Sequence, residues 1–295
     1  MKTIVLAGVL LFSNLSNACP IEDETKSTLK NSSMNFFDPT DEFGFKSTVT
    51  AKDYASVFNH VKKVYTPIFK KAGFQLLLES NWKDKSLKAF ATAKKANKKR
   101  RKIYVSGGHA RLSFYTKETL YVTLCHEIGH HLGGYPIIPK HEWGASSEGQ
   151  SDYYATSKCM KILFANDDVQ NALVASSEFV PQFVKNDCTK QFILEKDQNL
   201  CVRLAMASEA GVKTLGPIWA TGYGDLNDRD DSVIDKMDYE HPENSCRLQT
   251  MYQGALCNAD PKVSFSRKEE LTGACHPSNG NELGARPFCW FLPKL

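Results

Sequence analysis

The chain has 295 residues, 42% of them hydrophobic and 11% aromatic, which is enough apolar material for a substantial core in one or two domains and excludes a disordered protein. A net charge of only +4 gives no general reason to expect nucleic-acid binding.

Residues 1–18 read as a secretory signal. Lys2 is the positive start, Ile4 to Phe12 is an apolar stretch too short to span a bilayer, and Ser16-Asn17-Ala18 offers small residues for cleavage after Ala18. Cys19 follows directly, but Ser16 stands where a bacterial lipoprotein signal has Leu, so soluble export is favoured and membrane association is expected only if Cys19 is lipidated. No later stretch is long and apolar enough for a transmembrane helix. Nine cysteines in an exported chain read as structural bridges.

Residues 19–48 are polar and read as an extended N-terminal segment. From Thr50, a plausible N-cap, the apolar residues Tyr54, Val57, Phe58, Val61, Val64, Tyr65, Ile68 and Phe69 follow helical spacing, with a kink expected at Pro67 and a stop at Gly73. Strands are expected over Phe74 to Glu79, Lys88 to Thr92 and Lys102 to Val105. Between the last two, seven cations fall in nine residues, from Lys94 to Lys102. Without interleaved aromatics this run reads as a solvated hairpin tip, and no nucleic-acid partner is expected. Gly107-Gly108 marks a turn or bulge, with Arg111 to Tyr115 continuing the sheet.

Thr116 caps a helix running to about Leu132, stopped by Gly133-Gly134 and Pro136. It carries H-E-x-x-H as His126, Glu127 and His130. Positions i and i+4 share one helix face, so the two imidazoles can grip one metal, while Glu127 borders the open coordination position as a general base. This is the layout of a zinc hydrolase with one Zn2+ per chain. A third ligand is needed. Glu148, eighteen residues beyond His130 and at the start of the next helix after a Ser146 or Ser147 cap, is the best candidate, with His141 and Glu142 as rivals in the intervening loop. Asp152, four residues further, shares the face of Glu148 and can hold the outer nitrogen of His126 or His130.

This second helix is expected to reach about Phe164, and residues 167–211 to be mostly helical. The aspartate-rich stretch 222–245 fails the EF-hand pattern, with Asp230 where Gly is needed and Lys236 where Glu is needed, and reads as an acidic loop. Residues 246–257 read as a helix, and 258–295 as a Pro- and Cys-containing tail. Cys125 and Cys159 lie on the two metal-bearing helices, where a bridge would clamp the site. Cys188 and Cys201 can close a local loop. Cys246 and Cys257, about 16 Å apart if their stretch is one helix, cannot bond each other, which directs them to partners such as Cys275 and Cys289 and leaves Cys19 odd.

His126-Glu127-x-x-His130 followed by Glu148-x-x-x-Asp152 resembles the gluzincin pattern of zinc metallopeptidases. Lys88-Ala89-Phe90-Ala91, Ile103-Tyr104-Val105-Ser106-Gly107-Gly108, and His241-Pro242 with Arg247-Leu248 are similar to motifs of the CAAX-prenyl-protease and HtpX-like branch, across roughly residues 50–255. The resemblance implies a zinc endopeptidase acting on a protein or peptide. It further implies an edge strand at Ala89, Phe90 and Ala91 that pairs with extended substrate, His241 near the metal as oxyanion donor or gate, and Arg247 as an ion-pair partner to an acid near the zinc. His241, Tyr153 or Tyr154 could stabilise the oxyanion. The branch's membrane helices are missing from this sequence.

The expected architecture is α+β: a mostly helical metalloprotease domain over 49–257, with a small antiparallel sheet ahead of the HExxH helix. The expected setting is secreted or periplasmic. The rival reading is a non-catalytic, disulfide-stapled binding or envelope-assembly protein with a structural or vestigial metal site. Residues 19–48 or the acidic loop could cover the cleft.

Overall fold

The computed structural model describes residues 47–94, 96–112, 115–219 and 224–293, with backbone only for 215–219. Residues 1–18, expected to be a secretory signal, Cys19 and nearly all of the polar segment 19–48 lie outside the described residues.

The fold is α+β. Helix α1 (Ala51–Lys71) begins at a capping box in which Thr50 and Asp53 each accept from the other's backbone N–H. Its buried stripe is Tyr54, Val57, Phe58, Val61, Tyr65 and Phe69. Pro67 sits inside the helix, which runs on to Lys71, and Gly73 at φ 84° turns the chain into the sheet.

Strands β1 (Gln75–Asn81), β2 (Ala89–Ala93) and β3 (Arg100–Ser106) form a sheet in the order β1-β3-β2. The sheet is mixed, not antiparallel as expected. β2 and β3 pair antiparallel, with Ala89 opposite Val105, but β1 and β3 pair parallel, with Gln75 opposite Arg100. Residues 82–88 carry the chain past the central position, and β3 then fills it.

Two further expectations are corrected here. Gly107-Gly108 opens a short helix, α2 (Gly107–Ala110), capped by Ser106. Both glycines are required by close approach, since a Cβ would fall 2.0 Å from the Trp82 carbonyl oxygen at Gly107 and 2.2 Å from that of Ser86 at Gly108. Arg111 and Leu112 do not continue the sheet, because Arg111 ends α2 and its guanidinium donates to the Trp82 carbonyl at 2.6 Å.

Helix α3 (Lys117–Leu132), capped by Thr116, is the axis of the molecule. Its interior residues are buried on every side, between the sheet and the later helices. His131 ties it to the sheet: its Nε2 lies 3.1 Å from the Lys102 carbonyl of β3 and its ring packs between Phe69 and Trp143. Ser147 caps α4 (Glu148–Tyr154), which passes through a π-helical turn (Ala155–Cys159) into α5 (Met160–Phe164). Then come α6 (Asp168–Ala175), α7 (Gln182–Gln191), α8 (Glu195–Trp219) and α9 (Asn244–Leu256). Among the described residues no helix is long and apolar enough to cross a membrane.

Among the described residues four disulfides form. Cys125–Cys159 joins α3 to the π-helical turn, and Cys188–Cys201 joins α7 to α8. Cys246–Cys289 and Cys257–Cys275 bind the two ends of α9 to the C-terminal segment. That segment is part of the main core. Trp290 and Phe291 are fully buried, and a Cβ on Gly149 of α4 would meet the Trp290 ring at 2.3 Å.

Two buried lysines of the π turn and α5 also hold the segment after α9. Lys158 Nζ donates to the Asp260 carbonyl at 2.8 Å, and Lys161 Nζ donates to the Cys257 carbonyl. Burial lowers Lys158 to about 8; burial and then the Lys158 charge lower Lys161 to about 7. The unfolded chain therefore binds more protons than the folded one above pH 7, so stability should rise as pH rises from 7 toward 10. The trend reverses higher up, where buried tyrosines such as Tyr153, raised to about 12, keep protons that the unfolded chain has lost. Chemical denaturation across this range checks it. A midpoint that falls steadily from pH 7 to 9 would contradict the lysine placement.

Candidate metal centre

The residues that could hold a metal ion come together where α3 and α4 touch. Their contact requires Gly129, at which a Cβ would stand 2.7 Å from Ser151 Cα. This approach brings His126 and His130 of α3 against Glu148, the first residue of α4. One donor atom from each of the three lies within 4.8 Å of the other two, and all three residues are buried.

The spacing fits a metal ion. Metal–ligand bonds of about 2.0–2.1 Å in a tetrahedron set ligand atoms about 3.3–3.4 Å apart. The observed edges are 3.1 Å from His126 Nε2 to Glu148 Oε2 and 3.6 Å from His130 Nε2 to Glu148 Oε1. His130 Nε2 is buried with no hydrogen-bond partner among the described residues, which is costly for a polar atom unless an ion takes it up. The donor set, two imidazoles and one carboxylate, is one that zinc accepts.

The opposite nitrogens of both histidines are anchored. His126 Nδ1 lies 2.7 Å from Asp152 Oδ1, one turn beyond Glu148. Asp152 is in turn gripped by both prongs of Arg247 from α9, Nε to Oδ2 at 2.8 Å and Nη2 to Oδ1 at 2.9 Å. His130 Nδ1 lies 3.0 Å from both the Ser146 carbonyl and Ser151 Oγ. Each Nδ1 thus faces an acceptor, which places its proton there and leaves Nε2 free to bind a metal ion.

The electrostatics agree with ligation. Burial lowers His130 to about 4 against the pull of Glu148, keeping it neutral, the form that binds metal. Burial raises the Glu148 carboxyl, but its coupling to His130 and His241, which protonate before it in acid, and the hydrogen bond with His126 outweigh it and hold it well below the carboxylate range. For Asp152, burial is likewise outweighed, by Arg247 first and His126 second, leaving it at about 2. Both carboxylates are ionised at neutral pH.

Glu127 is fully buried one residue along from His126. His241, just before α9, reaches the same site, with Nε2 3.2 Å from Glu148 Oε2 and its side chain partly exposed. The end of the acidic stretch is tied down there, since the Glu148 amide donates to the Tyr239 carbonyl at 3.4 Å. Ala89, Phe90 and Ala91 lie on β2, an outer strand of the sheet that packs against α3.

The rival ligands are elsewhere. Glu142 is exposed, and His141 Nδ1 accepts from the Ala145 amide while its ring meets the Trp143 ring edge-on. Neither tyrosine offered for the oxyanion reaches the site. Tyr153 donates to the Gly284 carbonyl at 2.6 Å, and Tyr154 faces Tyr65 in the core, because successive helical residues point about 100° apart. Ser146, Ser151 and Tyr239 escaped sequence reasoning as parts of the site. Two of them act through backbone carbonyls, which no side-chain pattern marks, and Ser151 was visible only as a residue one position before Asp152.

No protein-family model, curated protein or solved structure matched the chain.

Proposed function

We propose that the chain is an exported zinc-dependent endopeptidase of the gluzincin type. The observation that carries this reading is Glu127. A purely structural zinc site is closed by four protein ligands and needs no base, yet here a carboxylate sits beside the first residue of a cluster that offers only three. The motifs similar to the CAAX-prenyl-protease and HtpX-like branch support the same reading.

His126, His130 and Glu148 would hold the ion. A zinc ion held there would supply a water acidified toward a pKa of about 7 and a Lewis acid for the substrate carbonyl. Glu127 takes the proton of the attacking water and passes it to the leaving amine nitrogen. His241 donates through Nε2 to the developing oxyanion. Asp152 and Ser146 keep the two ligating imidazoles in their tautomers, and Arg247 keeps Asp152 charged. β2 pairs with the extended substrate chain. Four disulfides suit an oxidising compartment outside the cytoplasm.

The test is digestion of casein and of a peptide library by the purified protein, with a chelator and zinc add-back. Cleavage that the chelator stops and zinc restores is expected. Stoichiometric zinc with no chelator-sensitive cleavage would instead favour the non-catalytic alternative.

A further inference from the structure

The Ala93 end of β2 is crowned with positive charge from several separate parts of the chain. Lys94 follows the strand, and Lys98, Lys99 and Arg100 lead into β3, all exposed. The Gln75 amide donates to the Lys99 carbonyl at 2.8 Å, which brings Lys70 and Lys71, the last residues of α1, to the same end. None of these six side chains makes an ion pair among the described residues.

A second observation lies beneath the crown. Arg101, opposite Ala93 in the sheet, is a buried guanidinium held between the rings of Phe74 at 4.2 Å and Trp143 at 4.9 Å. No carboxylate bonds it among the described residues. Its Nη1 reaches only the Trp143 carbonyl at 3.4 Å, and its Nε is buried without a hydrogen-bond partner. Burial and the nearby charge of Arg267 lower it to about 10. Arg267 itself donates to the next carbonyl, Gly144, at 2.7 Å. The carboxylate on this turn is Glu142, and Glu79, further along the sheet, is taken by Lys102. A guanidinium buried beside a second arginine is costly unless an anion joins them.

We propose that this crown selects substrates carrying a cluster of Asp or Glu a few residues from the scissile bond, with Arg267 and the exposed lysines facing carboxylates of the bound chain and the buried Arg101 adding its uncompensated charge beneath them. The inference rests on the peptidase reading, in which β2 holds the substrate. β2 has five residues, about 17 Å of extended chain, so an acidic cluster within about five residues of the cleaved bond would overlie the crown. Guanidinium groups match carboxylates geometrically, and the lysines would draw an acidic chain in from a distance. The run from 94 to 100 has no aromatic side chain for stacking nucleic-acid bases and no large apolar side chain for entering a bilayer.

The experiment compares two peptides with the same cleavable core, one flanked by Glu and one by Gln. The Glu-flanked peptide should have a kcat/KM at least about tenfold higher, through KM. The ratio should fall toward one when salt rises from about 0.1 M to about 1 M, as the Debye length shrinks from about 10 Å to about 3 Å. It should also collapse in the Lys98→Ser, Lys99→Ser, Arg100→Ser triple variant. A ratio near one at low salt, or a ratio that survives in the triple variant, overturns the proposal. Anisotropy of the same labelled peptides on the Glu127→Gln protein separates the two ideas. Salt-dependent preference for the Glu peptide without cleavage by the native protein would sink the peptidase reading and keep the crown's role. Equal binding of both peptides, or tighter binding to phosphatidylglycerol vesicles or a single-stranded oligonucleotide, would end it.

Discussion

Glu127→Gln should lower the cleavage rate about a thousandfold while the protein keeps its metal. The substitution preserves shape and removes only the proton acceptor, at a residue that is fully buried and so unable to be replaced by solvent. The three metal-donor residues do not include Glu127, so metal content should stay as in the native protein. Rate and metal content measured on the same preparation check both halves. Cleavage within tenfold of native would show that another group takes the proton.

Arg247→Met should cost about 3–5 kcal/mol of stability at neutral pH and weaken metal binding by about 10- to 100-fold. Asp152 is fully buried, and Arg247 makes two of its charge-assisted hydrogen bonds. Without the guanidinium the carboxylate faces burial with only His126 to offset it. The sign of the pH dependence follows. In the native protein Asp152 is held at about 2, below its ordinary value, so its contribution to stability is fully present above the ordinary aspartate range and is lost as pH falls through about 2. In the variant a cost of this size carries the carboxyl above its ordinary value, so acidification protonates the buried group and the deficit against native shrinks as pH falls from 7 toward 4. Denaturant titrations from pH 4 to 7, with metal content measured alongside, read both effects. A variant as stable as native, with full metal content, would mean that the Asp152–Arg247 pair does not support the site.

Much of this site was legible because helices repeat. Thr116 and Ser147 mark where α3 and α4 begin, and the 3.6-residue turn then decides which side chains share a face. That arithmetic put His126 with His130 and Glu148 with Asp152 before any contact was known. The same geometry excluded a Cys246–Cys257 bridge, and the fold then chose Cys289 for one and Cys275 for the other. What could not be read were consequences of distant chain segments. Strand order depends on where residues 82–88 run, and Gly107 and Gly108 are small because that loop presses on them. Tyr153 is committed by the Gly284 carbonyl, 131 residues away. Arg101 looked like one more cation of a solvated tip until Phe74 and Trp143 closed over it.

The most direct test of the central claim is anomalous scattering at the zinc edge from crystals of the Glu127→Gln protein. A single peak is expected about 2.0–2.2 Å from His126 Nε2, His130 Nε2 and a Glu148 carboxylate oxygen. No peak after zinc loading, or a peak bound by other residues, would contradict it.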